Sequence, residues 1–170
     1  MLFAVVAWGV ITASATAQEH DHASCPMAAD HKARATEVDH RHGAATGIDN
    51  ASSGHHFLLR KDGGEIRLGV SDPSDIASRD RIREHLKTVA AAFGRGDFDL
   101  PNRIHGTVPP GVAVMQARKA QIRYAYAETE NGAAVRIVTK DAEALAAIHE
   151  FLSFQISDHG TGDTTSVLAE

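Results

Sequence analysis

HHFLLRKDGGEIRLGV, residues 55–70, decides the fold. Phe57 and Leu59 alternate with polar or outward positions. Ile66, Leu68 and Val70 do the same after a short polar interruption. Period-two alternation on both sides of Asp62-Gly63-Gly64 reads as strand, turn, strand, because those residues supply the positive-φ positions of a tight hairpin.

The pattern then changes period. In DPSDIASRDRIREHLKTVAAAFGRG, Ile82, Leu86, Val89 and Phe93 recur at helical spacing. Pro73 and Ser74 suit the start of that helix and Gly94 its end. A long connection follows, DLPNRIHGTVPPGVAVMQ, whose Pro109-Pro110-Gly111 makes a rigid turn that can present His105 and Met115. QIRYAYAE and AAVRIVT, separated by Glu130-Asn131-Gly132, form a second hairpin. KDAEALAAIHEFLSFQISDH is a second helix, with Asp141 as N-cap and Leu145, Ile148, Leu152 and Ile156 on its apolar face. The order ββα-linker-ββα predicts an α+β fold: an antiparallel four-stranded sheet with two helices packed on one face. It occupies residues 55–160, with residues 161–170 expected to fray.

Upstream the reading differs. Leu2–Ile11 is apolar but too short to span a bilayer, and Ala15-Thr16-Ala17 matches a cleavage site. Residues 1–17 are therefore expected to be an export signal, although no Lys or Arg precedes the apolar run. Residues 18–54 are rich in Ala, His, Asp, Gly and Ser without apolar periodicity, and predict a disordered His-rich tail. The expected location is the periplasm or the exterior. A net charge of −5 with no basic stripe gives no footprint for nucleic acid, and no membrane contact is expected once the signal is removed.

Eleven histidines are the unusual feature. His20, His22, Cys25 and Met27 lie within EHDHASCPM, and His31, His40 and His42 follow. Imidazole with thiolate and thioether is a donor set preferred by copper, Cu(I) above all, with zinc as the alternative through Cys and His. A polar tail that collects such residues by composition is the plain alternative. Cys25 has no partner for an intramolecular disulfide.

In the domain, strand alternation sends His55 toward the core and His56 away. His149 projects from the apolar face of the second helix, with His159 near the same face, and His85 flanks the first helix's face. A buried histidine needs a hydrogen-bond partner, a charge or a metal. His55, His85, His149 and His105 can converge on a pocket or be satisfied separately; spacing does not distinguish these.

Enzyme signatures are missing. No G-x-S-x-G, phosphate-binding glycine loop, C-x-x-C or haem-attachment motif occurs, and His149-Glu150 fails as H-E-x-x-H because the fifth residue is Ser153.

HHFLL, DGGEIRL, REHL, GDF, IHGTVPPGVAVM, EALAAIHEFLSFQISDH and the final GTGD resemble an uncharacterised family of exported bacterial His-containing proteins, from about Glu37 onward. Relatives of that family sometimes carry the name aspartate carbamoyltransferase. The Ser-Thr-Arg-Thr-Arg signature that binds carbamoyl phosphate is absent here, and 170 residues is short for that two-domain enzyme. The resemblance implies a folded, exported domain and no reaction.

The expectation is copper buffering or delivery to a protein partner. The metal ligands come from His20, His22, Cys25, Met27, His40 and His42, completed by His105 or His149. The alternatives are a small-molecule or haem module with a His-lined pocket, and a His-dependent enzyme.

Overall fold

The two hairpins meet in one sheet. The computed structural model describes residues 26–169. Strand β1 (Ser53–Arg60) pairs with β2 (Gly63–Val70), and β3 (Ile122–Thr129) with β4 (Gly132–Thr139). All neighbours are antiparallel, in the order β1-β2-β4-β3, so β2 and β4 join the halves. Register places Phe57, Ile66, Val135 and Tyr126 in one row across the sheet, and His55, Leu68 and Ala133 in another. These rows share the face that carries the core.

Helix α2 (Ile76–Arg95) and helix α5 (Ala142–His159) cover that face. The buried side of α2 is Ile82, Leu86, Val89, Ala90 and Phe93, as the periodicity requires. Asp75 caps its first turn by accepting from Ser78 N, and Gly96, at φ 80°, ends it one residue beyond Arg95. The helix therefore starts and stops about two residues later than Pro73-Ser74 and Gly94 suggest. Asp141 caps α5 by accepting from Ala144 N, as expected.

The α+β fold is as the sequence implies, with three corrections of detail outside the hairpins and their helices. The stretch expected to lack regular structure is, from Pro26 to Thr46, helix α1. It escapes periodicity because its contact with the body is narrow: Val38 and His42 are buried, while most of the helix faces outward. Alanine-rich composition and Pro26 at the first helical position support it locally. The connection between halves likewise forms α3 (Asp99–His105) and α4 (Val112–Ala117), followed by a 3₁₀ turn, Lys119–Gln121. α1 packs on α3 and α5.

The C-terminal stretch expected to fray instead docks along β1. Asp163 accepts from Phe57 N and Thr161 Oγ1 and pairs with His56 Nδ1 at 2.9 Å, and Leu168 N donates to Leu59 O at 2.9 Å. The outer edge of β1 is thereby covered. Among the described residues, no helix is long and apolar enough to cross a membrane.

The first turn uses Lys61 and Asp62, with Gly63 alone of the expected glycines at positive φ, 146°. A Cβ at Gly63 would collide with the Ile137 carbonyl oxygen, and one at Gly64 with Leu152 of α5. Gly64 is thus the point where helix and sheet approach closely. Gly63→Ala is expected to destabilise the fold by about 2 kcal/mol, combining a disfavoured φ with a backbone clash. The urea midpoint should fall with an unchanged slope; an unaltered midpoint would show that the hairpin relaxes without cost.

Candidate functional site: a buried histidine cluster

Four imidazoles from four separate elements meet at one end of the helical layer. His55 of β1 lies on the core face two residues before Phe57. His85 of α2 sits between Ile82 and Val89, on the flank of the buried stripe. His42 of α1 follows Val38 by one turn and shares its buried side. His159 ends α5, three residues after Ile156, where Gly160 at φ 62° turns the chain away.

Ring centroids are 4.6 Å apart for His42–His55, 5.2 Å for His55–His159 and 6.2 Å for His42–His159. These three close a triangle. His85 stands 5.6 Å from His42. Phe57 packs against both His55 and His159, at 6.0 and 5.5 Å. The rings line a cavity of about 60 Å³.

His42 is 2% exposed, and neither of its ring nitrogens has a hydrogen-bond partner. Asn50 lies alongside without bonding geometry, its own Oδ1 likewise unpaired while its Nδ2 donates to Asp39. The His159 side chain is 5% exposed, and its Nδ1 is 3.6 Å from the Asp39 carboxylate, too far for a hydrogen bond. Leaving a buried polar group unpaired costs about 1–3 kcal/mol, so such groups call for an explanation.

Burial keeps His42, His55 and His85 neutral. It pushes His42 down to about 3, helped by repulsion from His85 and His159. It pushes His85 down to about 4. His55 falls well below the ordinary histidine range, again first by burial and then by the neighbouring rings. A neutral imidazole carries a free lone pair on one nitrogen, the form that ligates metals.

His105 adjoins His159 at 5.1 Å, ring centre to ring centre, but both its nitrogens are engaged. Nδ1 donates to Asp158 Oδ2 at 2.6 Å, and Nε2 lies 2.9 Å from the Gln155 side-chain amide. Burial lowers the pKa of His105, partly opposed by Asp158 and Gln155. A neutral ring that donates through Nδ1 accepts at Nε2, so Gln155 must turn its NH₂ inward, which also gives that otherwise unpaired NH₂ a partner. Arg34 of α1 grips Asp158 through two contacts of 2.8 Å and donates to His105 O at 2.6 Å. Burial opposes ionisation of Asp158, but the bonds from Arg34 and His105 outweigh it and hold the carboxyl below its usual range.

Of the ligands expected from sequence, His42 joins the cluster and His105 borders it. His149 is elsewhere: its Nε2–H donates to Arg60 O and Gly63 O, at 2.9 and 3.0 Å, steadying the first hairpin. His40 is exposed on α1, and Met115 is buried in the apolar core. His20, His22 and Cys25 lie outside the described residues, and Met27 falls in the first turn of α1. His55, His85 and His159 were legible as inward-facing residues, without a signal that they meet. Among the described residues, no three His, Cys, Asp or Glu side chains are oriented to hold a metal ion as they stand. No family model, curated protein or solved structure matches this chain.

Proposed function

We propose that this is an exported metal-binding protein that holds a copper or zinc ion among His42, His55, His85 and His159. The carrying observation is His42, buried with two unpaired ring nitrogens beside the imidazoles of His55, His85 and His159. Four imidazoles around one tetrahedral ion at a metal–nitrogen distance of about 2.0–2.1 Å have ring centres about 5 Å apart. The separations among His42, His55 and His159, 4.6–6.2 Å, and the 5.6 Å from His85 to His42 bracket that value. Loading the site requires the rings to reorient so that their lone pairs converge, and histidine χ2 is a soft torsion.

An all-imidazole set favours Cu(II) or Zn(II) over Cu(I), which prefers sulfur. The cluster therefore supports a different copper state from the Cys25-centred reading. In the proposed arrangement the domain's four histidines retain the ion without donors from the segment with His20, His22, Cys25 and Met27. Buffering, or delivery to a protein partner, follows from ligand exchange without covalent chemistry.

The test compares Zn(II) and Cu(II) affinity of the full chain with two variants. In one, His42 and His159 become Ala; in the other, His20 and His22 become Ala and Cys25 becomes Ser. The first is expected to lose affinity about a hundredfold or more, and the second to bind as the parent does. The reverse pattern moves the site into the N-terminal segment. Undiminished binding by both would sink the cluster as a metal site.

A further inference from the structure

Resting on that reading, we propose a division of labour among the ligands. His42, His55 and His159 are the retaining set. His85 is the exchangeable fourth position, through which a small nitrogen or anionic donor reaches the metal.

The geometry points to this asymmetry. The three retaining rings are mutual neighbours, all within 6.2 Å. His85 makes its ring contact with His42, at 5.6 Å. His42 is sealed at 2% exposure and the His159 side chain at 5%, and although His55 and His85 are both half-buried, His85 is the one of the four that lines an open cleft. An open cleft of about 760 Å³ runs between α2, the end of α1 and α3. His85, Val89, Phe93 and Leu100 line both this cleft and the small cavity. His85 therefore stands in the wall between the site and solvent. With its ring turned inward, the metal has four imidazoles and a closed shell. With its ring turned into the cleft, three imidazoles remain and one position opens on the solvent side. Zinc sites divide along this line, closed ones holding four protein ligands and open ones three with an exchangeable fourth. The exchange is balanced: one metal–nitrogen bond to His85 breaks as one bond to the incoming donor forms, with no change of oxidation state.

Co(II) provides the probe, because its visible bands report coordination. The parent chain, His85→Ala and each of His42→Ala, His55→Ala and His159→Ala are loaded with Co(II), then titrated with free imidazole and challenged with a chelator. His85→Ala is expected to keep Co(II) with about a tenfold weaker affinity, a factor of about 1.4 kcal/mol. It should release the ion faster and show a saturable spectral change with imidazole at concentrations that leave the parent unchanged. The three other variants should lose affinity about a hundredfold or more. His85→Gln carries the same expectation with a smaller change in packing, and far-UV circular dichroism checks that each variant folds. If His85→Ala loses as much affinity as the others, or responds to imidazole as the parent does, the division is overturned. A parent chain that takes up no Co(II), Zn(II) or Cu(II) overturns the metal reading itself, which is a separate result.

Discussion

At pH 5 the metal-free protein is expected to be about 4 kcal/mol less stable than at pH 7.5, from His42 and His85 alone. Burial lowers their folded-state values to about 3 and about 4. In the unfolded chain both titrate near about 6.5. Between those values the unfolded state binds protons that the folded state refuses. Stability is therefore complete above about pH 6.5 and declines as pH falls through the window, by about 1.4 kcal/mol per pH unit for each ring. His55 and His105, also shifted downward, act in the same direction. Urea midpoints measured from pH 7.5 to pH 5 after chelation check this. A flat profile would mean that the rings are charged or solvated in the native state.

His42→Leu sharpens the result. It should remove about one proton's worth of slope. At pH 7.5 it should also leave the apo protein as stable as the parent or more so, because it replaces a buried imidazole whose nitrogens are unpaired with an apolar group. A residue that weakens the empty fold and is nonetheless buried at the centre of a cluster has the signature of a functional group rather than of packing. If the proposed metal reading holds, the same variant should be stable yet fail to bind the ion, which separates the two roles.

How far the sequence carries the fold depends on the period of each element. The β1–β2 hairpin and α2 are legible because Phe57, Leu59, Ile66 and Leu68 alternate and Ile82, Leu86, Val89 and Phe93 recur every turn. Helix α1 is not, because a helix that buries little beyond Val38 and His42 writes no stripe into its sequence. The site is half legible in the same sense. His55, His85 and His159 can each be assigned an inward face by spacing. Their meeting depends on β1, α2 and α5 converging at one end of the layer, and on α1 lying across that end. Those are long-range relations that no local period encodes. His42 is the extreme case, since its burial follows entirely from where α1 docks.

That docking rests on Asp158, and its removal is the second large effect. Asp158→Ala is expected to cost about 3 kcal/mol. The carboxylate accepts from Arg34 of α1 and His105 of α3 while itself belonging to α5, so one residue ties three elements together. Arg34, with a side chain 39% exposed, can turn to water when its partner is lost. His105, 1% exposed, cannot, and its Nδ1–H would be left buried without an acceptor. Most of the cost therefore falls on His105, and Arg34→Ala should be milder, at about 1 kcal/mol. Asp158→Asn keeps an acceptor for one donor and should fall between the two. The functional consequence runs through α1. Once the clamp is released, amides along Pro26–Thr46 should exchange faster than those of α2. On the proposed metal-binding reading, affinity for the ion should fall as well, because His42 rides on the loosened helix. If Asp158→Ala costs less than about 1 kcal/mol and leaves α1 exchange unchanged, Val38 and His42 hold the helix without the clamp. The ligand geometry is then set by packing rather than by the ion pair.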